Sequence, residues 1–155
     1  MSLESVQEQF KNQGQALEII EFEQSTATVE LAAAAVGVEP GQIAKTMSFR
    51  LKDRDILIVL MGTARIDNKK YKQLFKTKAK MLSLDEVEAI TGHPVGGVCP
   101  FGLIDPLDIY LDESLKIYEH VYPAAGSKNS AVKVSLNQLE QITDGQWIDI
   151  SKANE

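Results

Sequence analysis

Six consecutive apolar residues, Ile56-Leu57-Ile58-Val59-Leu60-Met61, constrain the fold of this chain more than any other stretch. With apolar side chains on both faces, the run reads as a strand in a central position of a sheet. It is far too short to cross a bilayer. The residues before it supply a neighbour. Residues 44–51 alternate, with Met47, Phe49 and Leu51 on one face and Thr46, Ser48 and Arg50 on the other, and Lys45 falls with the apolar set. The polar Lys52-Asp53-Arg54-Asp55 between the two runs predicts a β-hairpin.

Capping and periodicity place the remaining elements. A short helix is predicted over 2–13, with Val6 and Phe10 at helical spacing and Gly14 as its stop. Residues 16–22 are apolar and β-rich and read as a strand. Ser25 and Thr26 are candidate caps for a helix over 28–35, closed by Gly37 and Pro40; residues 40–43 then turn the chain or make one helical turn. Asp67 caps a helix to about Phe75, and Ser83-Leu84-Asp85-Glu86 has capping-box spacing for a helix ending near Thr91-Gly92. Strands are predicted at 108–111, 116–121, 131–134 and 147–150. Ser135 caps a helix over 136–142, and a polar tail ends the chain. No repeat or linker divides the sequence, so residues 1–155 are expected to form one α/β domain with a mixed sheet.

The composition, 44% hydrophobic and 25% charged, is that of a globular chain. Met1-Ser2-Leu3-Glu4 lacks a basic region followed by an apolar one, which predicts a cytoplasmic location without a membrane partner. Cys99 is the only cysteine, so an internal disulfide and a cysteine-based zinc site are excluded. Neither His93 nor His120 has a companion at ligand spacing, and no metal is expected. The net charge of −6 argues against indiscriminate nucleic-acid binding. Its distribution is uneven, however. Arg65, Lys69, Lys70, Lys72, Lys76, Lys78 and Lys80 make a basic stretch, followed by an acidic one at Asp105, Asp108, Asp112, Glu113 and Glu119.

Signatures of cofactor or triad chemistry are missing: the chain has no G-x-S-x-G, G-x-x-x-x-G-K, H-E-x-x-H or G-x-G-x-x-G. What stands out is the stretch from Thr91 to Gly102, interrupted by Gly92, Gly96, Gly97 and Gly102 and by Pro94 and Pro100. Two readings fit it: a loop that brings main-chain N–H groups close to a ligand, or an ordinary helix-to-strand connection.

Three segments occur together in order. They are Ala44-Lys45-Thr46 opening a strand, Val95-Gly96-Gly97-Val98-Cys99-Pro100-Phe101-Gly102, and Ala125-Gly126-Ser127 before a strand. Their order and intervals resemble the YbaK-like aminoacyl-tRNA deacylases, which are similar to the editing domain inserted in bacterial prolyl-tRNA synthetase. The resemblance spans about 16–150. It implies a compact α/β fold whose mixed, partly barrel-like sheet is surrounded by helices. It also implies a hydrolase that removes wrong amino acids from tRNA in trans, with cysteine, alanine and serine as familiar substrates and no cofactor. The implied partners are the tRNA acceptor end and an aminoacyl-tRNA synthetase; DNA is not expected. A non-catalytic module of the same fold that binds tRNA or a synthetase is the alternative, and hydrolysis of another small acyl ester is a third reading.

The resemblance carries roles onto individual residues. Lys45 matches the essential lysine, which would hold the acceptor-end phosphate beside the terminal adenosine; a surface lysine at a strand start is the plain alternative. Thr46 would hydrogen-bond substrate. Gly96 to Pro100 matches a G-x-x-x-P loop, in which main-chain N–H groups at Gly96 and Gly97 would stabilise the oxyanion formed when water attacks the ester. Such donors are worth about 10²–10³ in rate. Pro100, Gly126 and Ser127 would line the substrate pocket, although a solvated turn also explains the last two. Cys99 lies in the same loop, but a nucleophilic thiol needs a base and a lowered pKa, and the sequence places neither histidine beside it. It and His93 therefore rank below the main-chain amides. The face formed by Lys69, Lys70 and Lys76 is either solvated or a contact for the tRNA backbone.

Overall fold

The apolar run at 56–61 lies in the middle of the main sheet, where residues 56–60 are completely buried. The computed structural model describes residues 2–153. Along the chain come α1 (Ser2–Asn12), β1 (Ile19–Glu21), α2 (Val29–Val36), a 3₁₀ turn (Pro40–Gln42), β2 (Ile43–Arg50), β3 (Asp55–Met61) and β4 (Ala64–Ile66). There follow α3 (Asn68–Phe75), α4 (Leu84–Thr91), β5 (Asp108–Asp112), a 3₁₀ segment (Glu113–Ile117) and β6 (His120–Pro123). β7 (Ser130–Val132), β8 (Val134–Ser135), α5 (Leu136–Thr143), β9 (Gln146–Ile148) and β10 (Ser151–Ala153) complete it.

The main sheet has the order β8-β6-β2-β3-β5-β9 and curls into a half-barrel. β2 and β3 form the expected hairpin, in register from Ala44–Met61 to Arg50–Asp55, while β2–β6, β3–β5 and β5–β9 are parallel. The sheet is therefore mixed. Two short antiparallel pairs, β1–β7 and β4–β10, flank it. α1 packs Val6 and Phe10 onto one part of the core, where the Phe10 and Phe101 rings meet edge to face at 5.0 Å. α3 closes another part through Tyr71, whose ring lies 5.3 Å from Phe49 and 4.8 Å from Phe75. No helix among the described residues is long and apolar enough to cross a membrane.

The capping signals at Asp67, Ser83 and Ser135 are realised, the last two as full capping boxes. Several expectations change. Thr28, not Ser25 or Thr26, caps α2; Thr26 is buried and its hydroxyl donates to the Ser130 carbonyl. The strand expected over 116–121 begins only at His120, because Asp112 accepts from the Ser114 N–H and winds the next residues into the 3₁₀ segment. The strand expected over 131–134 is two pieces, one pairing with β1 and one with β6. β1 itself is shorter than 16–22. β4 was not foreseen, and the polar tail contributes β10. Buried Asp112 holds that end of the chain by accepting from the Ile150 N–H at 2.9 Å and the Ser151 hydroxyl at 2.5 Å.

Candidate active site

The main sheet is interrupted along the outer edge of β2. β6 pairs there only through Ile43–Tyr122 and Ala44–Pro123, and the next neighbour arrives at Phe49–Met81. The gap opens into a cleft of about 240 Å³. Thr26, Ala27 and the first turns of α2 form one wall, Val95, Gly96 and Val98 another, and Lys45 to Ser48 the strand between them. Lys45 is the only charged residue lining the cleft among the described residues.

The Lys45 side chain is half-buried, and its ammonium donates to the Ala64 carbonyl at 2.5 Å. Burial lowers its pKa, partly opposed by the negative charge of Glu30. Thr46, also lining the cleft, has a buried hydroxyl oxygen without a hydrogen-bond partner among the described residues. A polar atom in that condition is costly unless something supplies the missing bond.

The glycine-rich loop is a tight turn: the Gly97 N–H donates to the Pro94 carbonyl at 2.9 Å, and Gly96 occupies the third position with φ +92°. Positive φ at that position is the mark of a type II turn and explains the glycine. The turn also commits the Gly97 N–H, so the expectation that Gly97 offers a free donor is corrected. Val95, Gly96 and Val98 are the loop residues that line the cleft. Gly97 serves close approach instead, since a Cβ there would stand 2.7–2.8 Å from Ser127 main-chain atoms.

The other expected site residues are not brought into the cleft. Pro100 is buried and lines a separate groove against α1, and Gly126, with φ +96°, packs against Ser2. Ser127 is one step removed: its Oγ lies 2.7 Å from the Oγ of Ser130, and Ser130 lines the cleft. Ser130, Thr26 and Val98 are lining residues that sequence reasoning missed. The polar run Ser127-Lys128-Asn129-Ser130 announced a loop, but not that its last residue turns inward.

His93 does lie beside Cys99, its Nε2 3.5 Å from Sγ, a proximity that the six-residue spacing left open. Neither group is arranged for catalysis. Both are completely buried. The His93 Nε2–H donates to the Phe101 carbonyl at 2.6 Å, and its Nδ1 accepts from the Ser2 hydroxyl. Burial lowers the His93 pKa and pushes the Cys99 thiol up to about 12, so both are neutral near pH 7. Lys69 on α3 and Lys76 just after its C-terminus are exposed, whereas the Lys70 ammonium is bound to Asp149 at 3.0 Å and to the Ser151 carbonyl at 2.9 Å. None of the three lines the cleft.

Residues 23–142 match the aminoacyl-tRNA editing domain family. The chain is 49% identical over 154 residues to the uncharacterized protein YwhH of Bacillus subtilis, covering 98% of each. It is 29% identical to the candidate Cys-tRNA(Pro)/Cys-tRNA(Cys) deacylase EbsC of Enterococcus faecalis, over 80% of this chain and 77% of that protein. Proline–tRNA ligase of Caldicellulosiruptor bescii is 28% identical over 68% of this chain, which spans 18% of the ligase. The crystal structure of a candidate trans-editing enzyme for prolyl tRNA synthetase superposes with a TM-score of 0.90 at 33% identity, covering 98% of both chains. With its half-barrel fold and a match over most of its length, the chain belongs to the aminoacyl-tRNA editing domain family.

Proposed function

We propose that this protein is a cytoplasmic aminoacyl-tRNA deacylase that hydrolyses, in trans, the ester of a tRNA mischarged with a small amino acid of the cysteine, alanine or serine type. The observation that carries this reading is the meeting of Lys45, Thr46 and Gly96 on one small, largely apolar cleft. Ala27, Ala32 and Val98 limit its width and favour a short side chain. Lys45 supplies a positive charge for the phosphate of the acceptor end, and the Thr46 hydroxyl gains in the substrate the partner it lacks among the described residues. A water attacks the ester carbonyl, and the main-chain N–H groups of Gly96 and Val98 receive the developing oxyanion. Each such donor contributes about 10²–10³ in rate. Solvent, or a substrate hydroxyl or thiol acting as a relay, carries the proton of the attacking water to the ribose oxygen, which departs as its bond to the carbonyl carbon breaks; no Asp, Glu, His or Cys lines the cleft among the described residues. The exposed ammonium groups of Lys69 and Lys76 offer a contact to the tRNA backbone, and the proline–tRNA ligase relatives support a prolyl-tRNA synthetase as working partner.

Single-turnover deacylation of a panel of mischarged tRNAs, with wild type and Lys45→Ala, tests the proposal. Hydrolysis of at least one by wild type, lost in the variant, supports it. Binding without hydrolysis across the panel points to a non-catalytic module, and equal turnover of a free aminoacyl ester removes the RNA from the reading.

A further inference from the structure

The gap in the sheet leaves main-chain groups facing the cleft. Main-chain groups of a strand point alternately to its two sides. The Ser48 carbonyl accepts from the Leu82 N–H at 3.2 Å, and the Arg50 N–H donates to the Lys80 carbonyl at 2.8 Å, so the even-numbered residues of β2 point away from β3. On that outer side, pairing with β6 stops after Ala44–Pro123, and pairing with the Met81 segment reaches back only to the Ser48 carbonyl. Between these points stand the Thr46 N–H and C=O and the Ser48 N–H, without a strand or side-chain partner among the described residues, and both residues line the cleft.

We propose that the Thr46 carbonyl and the Ser48 amide bind the Watson–Crick edge of an adenine, the terminal base of the tRNA acceptor end. This rests on the reading of the cleft as an aminoacyl-tRNA site and specifies how that site identifies the RNA end. A carbonyl at residue i and an N–H at i+2 on one side of an extended strand present an acceptor beside a donor. Adenine presents the complement on adjacent atoms, with N6–H donating to the Thr46 carbonyl and N1 accepting from the Ser48 N–H. Unpaired bases are read on this edge by proteins that bind single-stranded RNA ends. The surroundings suit a flat apolar face: Met81, Leu84 and Val95, which are 55%, 71% and 43% exposed, stand around the same opening. A cleft whose only charge among the described residues is Lys45 leaves recognition of a neutral base to the main chain.

Base analogues test the pairing without altering the protein. In NMR titrations of ¹⁵N-labelled protein, adenosine 5′-monophosphate shifts the Ser48 amide, and 7-deaza-adenosine monophosphate, which keeps N1 and N6, binds equally well. The 1-deaza and N6,N6-dimethyl analogues each bind roughly tenfold more weakly, the loss of about one hydrogen bond. Aminoacylated minihelices ending in the same four bases follow the same order in kcat/KM. Equal behaviour of the 1-deaza and 7-deaza compounds overturns the adenine edge even if tRNA hydrolysis is observed. If free monophosphates show the pattern while minihelix hydrolysis ignores it, the edge reads a free nucleotide and the assignment to the RNA end falls. If no charged RNA is hydrolysed yet the monophosphates and uncharged minihelices bind in the stated order, deacylation fails and the adenine edge stands.

Discussion

Gly97 lies directly on the main chain of Ser127: a methyl group on its Cα would stand 2.7 Å from the Ser127 carbonyl carbon and 2.8 Å from its amide nitrogen and carbonyl oxygen. The two glycine-containing loops are thereby held against one another, and Gly96 is set in the cleft wall. Gly97→Ala must push main chain against main chain, which costs about 1–3 kcal/mol. For a chain of this size each kcal/mol lowers Tm by roughly 2–4 °C. Gly96→Ala meets a different obstacle, positive φ together with the Ala27 Cβ at 2.9 Å. Calorimetry is expected to show both losses, and deacylation by either variant should fall further than its stability, because the loop amides move.

Lys45 places a charge where burial opposes it. Its folded pKa lies below its unfolded one, so the unfolded chain takes up the proton first as pH falls from alkaline values. The resulting penalty on the folded state is fully present near pH 7. Lys45→Met is therefore expected to leave Tm at pH 7 unchanged or higher while reducing deacylation by at least about 10²-fold. A large drop in Tm would show instead that the bond to the Ala64 carbonyl is structural. In wild type, kcat/KM corrected for spontaneous ester hydrolysis should decline with rising pH before the ordinary lysine value of 10.5 is reached, as the ammonium is lost.

Cys99 is expected to be chemically silent. With its thiol pushed up to about 12 by burial, it carries essentially no thiolate at pH 7. Thiol-modifying reagents should label it only on unfolding, and Cys99→Ser should keep deacylation within about threefold of wild type, far less than loss of a nucleophile would cost. Rapid labelling of the native protein, with inactivation at the same rate, would contradict this.

His93 makes the acid limb of stability steeper. Its folded pKa is depressed, so the unfolded state gains a proton near the ordinary value of 6.5 while the folded state does not. The stability it contributes is present in full above about pH 6.5 and is lost as pH falls toward the lowered value. Urea unfolding followed between pH 7.5 and pH 5 should show this decline, and His93→Gln should flatten it while lowering stability throughout.

The three lysines of the basic helix are separated by their surroundings. Lys69→Ala and Lys76→Ala should each weaken tRNA binding and reduce the slope of log K against log salt by about 0.7–0.9. Lys70→Ala should leave that slope unchanged, because its ammonium is already engaged by Asp149 and Ser151, and should mainly loosen β10. Equal slopes for all the variants and wild type would remove α3 from the RNA contact.

The sequence by itself determined the elements whose signals are local. The apolar run 56–61 could only be a central strand, the alternation at 44–51 made its hairpin partner, and Asp67, Ser83 and Ser135 marked helix starts through side chains that satisfy free N–H groups a few residues away. The ordered segments around Lys45, Gly96 and Gly126 were legible too, as a family resemblance. Tertiary structure decided which of them share a cleft. β6 stops pairing with β2 after Ala44, and the gap that results brings Gly96 and Ser130 to Lys45 and Thr46 while leaving Pro100 and Gly126 elsewhere. It also gave the Gly97 N–H to Pro94, buried Cys99 against His93, and paired the polar tail with β4. Each of these depends on where a neighbouring strand ends or a distant loop packs, and residue type and spacing along the chain do not encode that.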